Sequence, residues 1–138
     1  MATNLPTSYK PTEKEPFMNE RQREYFRREL TTWRDDILRD ARGTILNLQL
    51  ETTPNADLAD RATTESERQL ELRTRDRQRK LIAKIDSALR RLEDGSYGFC
   101  EETGEPISLK RLDARPIATL SIEAQERHER QERFYRDD

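Results

Sequence analysis

Cysteine is almost absent from this chain of 138 residues: Cys100 is the only one. An intrachain disulfide is excluded, and a metal site built on two C-x2-C knuckles would lack most of its thiolates. Long apolar runs are missing as well. No stretch approaches the roughly 18 consecutive apolar residues of a membrane span, and the opening MATNLPTSYKPTEKEPF lacks the basic-then-apolar order of a secretory signal. Both absences lead to an expected cytoplasmic location. Nor is there an excess of charge of one sign: 26 Lys and Arg face 28 Asp and Glu, for a net charge of -2. Non-specific nucleic-acid binding would need a clear basic excess. Apolar residues make up 32% and charged ones 39%, with a mean hydropathy of -1.14, too little for a thick globular core. No nucleophile–base pair and no metal-ligand set stands out, so the chain is not expected to be an enzyme.

What is present favours helix: Arg, Glu, Leu and Asp dominate. Residues 1–16 carry Pro6, Pro11 and Pro16 among small polar residues and read as a flexible N-terminal tail. From Asn19 to about Thr53 proline is missing, and Phe26, Leu30, Trp33, Ile37, Ala41, Ile45 and Leu48 recur in steps of three and four. Pro54 ends that stripe. A second helix follows, capped by Asp60 or by a capping box at Thr64–Glu67. Its seam is expected at Leu70, Thr74, Arg77, Leu81, Ile85, Ala88 and Leu92, and Asp94-Gly95 stops it. Two long amphipathic helices with so short a connection predict an antiparallel coiled-coil hairpin over 17–94, with its tip at 54–62. At 1.5 Å per residue each arm is on the order of 50 Å long. The distal part, with little beyond Leu70, should be the more mobile.

Residues 95–138 differ. YGFCEETG, residues 97–104, has the frame of a zinc-ribbon knuckle, but threonine stands at 103 where a second thiolate belongs. A short hairpin, a turn of helix around Leu109–Ala114 and a polar helix from Ile122 to about Tyr135 are expected. Tyr97, Phe99, Ile107, Leu112, Ile117, Leu120 and Ile122 would pack together. The fold class is thus mainly α: a coiled-coil hairpin, a degenerate zinc-ribbon-like part and a C-terminal helix.

Three constellations could carry function, each with a plain alternative. Asp57 and Asp60 at the tip are either a turn residue and a helix cap, or carboxylates presented to a metal ion or basic groups of a partner. RTRDRQRK, residues 73–80, is either a solvated face or a docking surface for an acidic partner or phosphate. Cys100 is either a small packed residue or a reactive thiol. Adding His128 would still leave two zinc positions empty.

Four stretches, MNERQREYFRREL, DLADRA, LRTRDRQRKLIAKID and DGSYGFCEETGEPISLKRLDARP, resemble the DksA/TraR family of bacterial regulators that bind RNA polymerase. The resemblance runs from about Phe17 to Arg130. It implies a transcription regulator whose hairpin enters the secondary channel of RNA polymerase. A monomer is expected, without membrane attachment, and without sequence-specific DNA binding because the ribbon lacks its ligands and its basic surface is mixed with acids. The tip would lie near the active site and modulate promoter complexes with ppGpp in the stringent response. The family's D-x-x-D-x-A tip falls on Asp57, Asp60 and Ala62. Arg77 matches a polymerase-docking position, and Leu81, Lys84 and Arg115 match ppGpp-binding positions. A further family lysine is replaced by Gln125, so weaker alarmone synergy is implied. The four zinc cysteines fall on Cys100, Thr103, Ser121 and Ala124, so zinc is predicted absent and no cofactor is expected. The alternatives are a transcript-cleavage or anti-backtracking factor of the same channel, or a helical-hairpin adaptor without tip activity.

Overall fold

The computed structural model describes the backbone of residues 5–50 and 58–136, and the side chains of 5–43 and 62–135. Four helices follow one another: α1 (Glu20–Leu50), α2 (Leu58–Asp94), α3 (Leu109–Ala114) and α4 (Ile122–Arg136). Among the described residues no strand forms, and the only bridge joins Phe99 to Pro106. The fold is mainly helical, as expected.

Two compact units divide the chain, 1–30 with 87–138 and 31–86. In the second unit α1 and α2 run antiparallel. Arg34 pairs with Asp86 at 2.8 Å, and one turn pair further Ala41 shares a groove with Leu72, Gln78 and Ile82. On α1 the expected stripe holds: Ile37 is buried and Trp33 and Ala41 are half-buried. On α2 the expected seam is out of phase in this unit. Leu70 is 64% exposed, and Thr74 and Arg77 also face solvent. Half-buried instead are Thr64, Arg68, Glu71, Gln78 and Ile82, an alternation of threes, fours and sevens. Apolarity favours the other phase because Leu70 lies on it, yet the positions that turn inward carry Arg, Glu and Gln, whose long aliphatic stems can be covered. The helix also starts earlier than a cap at either Asp60 or Thr64 would have it, at Leu58.

The first unit has the denser core. Phe26, Leu30, Ala88, Leu92, Tyr97, Ile107, Leu112 and Ala124 are all buried, and Phe26 lies 5.5 Å from Tyr97 ring to ring. Asp94-Gly95 stops α2 as expected: Gly95 adopts φ 86° and the N–H groups of Gly95, Ser96 and Tyr97 all reach the Arg91 carbonyl. Ile122 was expected in this core, yet it is 49% exposed at the first turn of α4. Residues 5–16, within the expected tail of 1–16, make defined contacts. Leu5 is buried, Arg28 donates to its carbonyl at 2.9 Å, and Tyr9 stacks edge-on against Tyr25. Counting prolines missed this because Pro6 and Pro16 sit in turns, accepting from the N–H groups of Tyr9 and Asn19.

Candidate functional site

The ribbon is built on a turn that only glycine tolerates. Gly98 has φ 90°, and its carbonyl accepts from the Ile107 N–H at 2.7 Å. Cys100 N–H donates to the Glu105 carbonyl at 2.8 Å, and Gly104 N–H returns to the Cys100 carbonyl, closing a tight knuckle. A second strand of chain ties on through Glu101 N–H to the Thr119 carbonyl and through the Tyr97 hydroxyl to the Pro116 carbonyl. Between them α3 is capped by Ser108, whose hydroxyl accepts from Arg111 N–H, while the Arg111 guanidinium donates to the Leu120 carbonyl at 2.8 Å.

Three of the four expected zinc positions meet at Cys100. Burial pushes its thiol up, but the N–H groups of Ser121, Thr103 and Glu102 and the Thr103 hydroxyl point at the sulfur and outweigh burial. The pKa falls to about 6. Thr103 and Ser121 have duties of their own. Thr103 Oγ accepts from Glu105 N–H, and Ser121 Oγ accepts from Ala124 N–H as the N-cap of α4. Ala124 presents only a methyl group, and it is fully buried. Tyr97 and Phe99, expected to hold the ribbon together, divide: Tyr97 is buried, while Phe99 is 37% exposed and meets the ring of Phe17 at 5.4 Å.

The remaining expected residues are spread along the chain. Asp57 and the 51–57 end of the hairpin lie outside the described residues. So does the side chain of Asp60, whose backbone belongs to the first turn of α2. Ala62 is exposed on the same helix. Arg77 and Lys84 are exposed on α2 and Leu81 is half-buried beside them. Arg115 is exposed and ends α3, its N–H donating to the Arg111 carbonyl. Within RTRDRQRK the cations are partly self-paired: Arg79 and Lys80 both reach Asp76, at 3.3 and 3.2 Å. Gln125 is half-buried and spends its side-chain amide on Glu129 at 3.3 Å. One cluster went unread in the sequence. Gln22 is fully buried, and Asn19-x-x-Gln22 forms a capping arrangement that the spacing of N-E-R-Q could have revealed.

A family profile described as the N-terminal domain of DnaK suppressor protein DksA matches residues 22–92, the greater part of the two long helices. A second, described as the prokaryotic dksA/traR C4-type zinc finger, matches residues 95–130. The chain belongs to the DksA family. A relative in Caulobacter vibrioides, named RNA polymerase-binding transcription factor DksA, is 67% identical over 132 residues, covering 96% of this chain and 93% of the relative. The protein of the same name in Escherichia coli K12 is 45% identical over 109 residues, 79% of this chain and 72% of its own. The solved structure of transcription factor DksA2 from Pseudomonas aeruginosa matches with a TM-score of 0.80 and 45% identity, covering 85% of this chain and 90% of that one. The expectation of a non-enzymatic protein agrees with a family whose curated members are named transcription factors.

Membership of the DksA family brings a zinc-finger assignment that pulls against the expected absence of zinc. The donor set in this chain does not fit a structural zinc: one thiol, two hydroxyls already engaged as acceptors, and a buried methyl. Among the described residues no group of three or more His, Cys, Asp or Glu could hold a metal ion. No described helix is long and apolar enough to cross a membrane.

Proposed function

We propose that this chain is an RNA polymerase-binding transcription factor of the bacterial cytoplasm, acting as a monomer and without sequence-specific DNA contacts. The observation that carries the reading is 67% identity, over nearly the whole of both chains, with a protein of that name. The hairpin enters the secondary channel of the polymerase, Arg77 docks it, and Asp57 and Asp60, followed by Ala62, act near the active-site Mg²⁺. Carboxylates suit that place because Mg²⁺ prefers hard oxygen ligands and their charge alters its field.

ppGpp is the co-regulator in this reading, with Leu81, Lys84 and Arg115 as its contacts on this chain, since ammonium and guanidinium groups suit its phosphates. With Gln125 in place of a lysine, synergy is weaker than in relatives that carry the lysine. The ribbon is metal-free, its shape carried by backbone hydrogen bonds and apolar packing.

Run-off transcription from a ribosomal RNA promoter, with and without ppGpp, tests the mechanism. The parent should inhibit and Asp57→Asn/Asp60→Asn should not, while still competing with the parent for polymerase. Equal inhibition by both proteins overturns the role of the tip. Cleavage of the transcript in stalled elongation complexes would point to an anti-backtracking factor instead. Stoichiometric zinc in the purified protein, or unfolding by a chelator, overturns the metal-free ribbon.

A further inference from the structure

The N-terminal segment meets the ribbon knuckle at residues 17–18 against 98–99, and Lys10, Pro11 and Glu13 share a cleft with Leu109, Lys110 and Asp113 of α3. Phe17 packs edge-on to Phe99, and a methyl group added at Gly98 would lie 3.1 Å from Met18 Cε and 3.2 Å from Phe17 Cζ. Gly98 is therefore needed twice, for its positive φ and because these two side chains close over it. Met18 itself has φ 55°, a costly conformation for a residue with a side chain, and it persists only where surrounding contacts impose it.

Those contacts are visible. Gln22 is fully buried on α1; its Oε1 accepts from Met18 N–H at 2.8 Å and its Nε2 donates to the Thr12 carbonyl at 3.2 Å. The segment is also braced internally. The Tyr9 hydroxyl donates to Glu15 at 2.6 Å, Asn19 donates to the same carboxylate, and the Arg21 guanidinium lies 4.6 Å from the Tyr9 ring centre. Burial and the Glu15 carboxylate push the Tyr9 hydroxyl up to about 12, and the Tyr9 bond in turn draws Glu15 down. At the far end Leu5 is buried under Arg28.

We propose that residues 5–18 form a strap that closes over Gly98 and Phe99 and supplies the tethering of the ribbon that a bound metal would otherwise give. The proposal rests on the metal-free reading of the ribbon. The physical need is plain. The knuckle and the turn that leads into it contain three glycines with positive φ, at 95, 98 and 104, so their open state is rich in conformations and a cross-link must offset that entropy. A zinc ion does so from within, by joining two knuckles. The strap does so from outside, by joining the knuckle to a point some 80 residues earlier in the chain, where Gln22 and Leu5 anchor it.

The single cysteine is a convenient reporter, because Cys100 is buried and labelled only when the knuckle opens. The test compares the full chain with Phe17→Ala and Gln22→Leu by the rate of Cys100 reaction with an aromatic disulfide reagent, and by amide exchange at Cys100, Gly104 and Ile107. Metal content is measured on the same samples. Both variants should keep parent helix content and react roughly tenfold faster or more, with the three amides exchanging faster to match. Should either variant fail to fold, Tyr9→Phe, which removes only the bond to Glu15, should show the same change on a smaller scale. Metal-free protein whose variants label at the parent's rate overturns the strap alone. One zinc per chain overturns the metal-free reading, and with it the strap as a replacement.

Discussion

Residues 1–30 with 87–138 and residues 31–86 use the same two helices but fill the space beside them differently. The first unit buries Phe26, Leu30, Leu92, Tyr97, Ile107 and Leu112 almost completely. In the second, Ile37 and Ile85 are buried, but half of the buried or half-buried positions described on α2 are Thr64, Arg68, Glu71 and Gln78. Two of these leave a buried oxygen, Glu71 Oε2 and Gln78 Oε1, without a hydrogen-bond partner. Apolar burial therefore stabilises the first unit far more per residue than the second, where covering aliphatic stems compete with desolvated polar atoms. If the hairpin enters a polymerase channel as proposed above, it must stay soluble along its whole length, and a polar seam serves that need at the expense of local stability.

The contrast can be broken most severely in the first unit. Phe26→Ala removes a fully buried ring and should cost about 3–5 kcal/mol, read as a lower urea midpoint. A loss below about 1 kcal/mol would show that the core at Phe26 is not what stabilises this unit. In the second unit the sign should reverse. Glu71→Leu and Gln78→Leu each remove an unpartnered buried oxygen and should raise stability by about 1 kcal/mol, seen as a higher melting temperature and slower amide exchange along residues 64–82. If both lower it, the polar seam is paired in solution and the contrast fails. Arg34→Ala deletes the ion pair with Asp86, whose side chains are 36% and 39% exposed, so the loss should be about 0.5 kcal/mol or less and vanish at high salt.

Last comes an effect of slope from a single titrating group in the first unit. The Cys100 thiol is drawn from 9.0 to about 6 in the folded chain. A group whose folded pKa is lowered adds stability that is complete above its unfolded pKa and lost as pH falls through the folded value. Unfolding free energy should thus rise between about pH 6 and 9, and Cys100→Ser should flatten that rise. Denaturation midpoints of both proteins at half-unit pH steps measure it; parallel curves would mean the sulfur carries no folded-state charge.

Much of this was legible from residue order. The stripe on α1 was read correctly through Ala41, and Gly95 as the stop of α2, because each depends on spacing or on one residue's backbone freedom. The seam of α2 below Leu81 is one position out of phase with the expected one, since Leu70 marks the outward stripe while the inward one carries only Thr, Arg, Glu and Gln. The strap was invisible for a different reason. Three prolines and scattered polar residues describe a tail equally well until Gln22, Tyr9 and Gly98 are seen to meet it. At the ribbon the counts were decisive about chemistry and silent about geometry. One cysteine in the chain argues against a four-thiolate metal site, but only the fold assigns Ser121 to cap α4 and Ala124 to the core.

The sequence by itself determined the two long helices, the turn at Gly95 and the donor set of the ribbon, because helix periodicity, glycine's freedom at positive φ and ligand identity are local or countable properties. Tertiary structure alone decided which face of α2 turns inward, how residues 5–18 close on Gly98 and how the Cys100 sulfur is surrounded by N–H donors. Those depend on groups that are distant in the chain and become neighbours only when burial and hydrogen bonding are satisfied together.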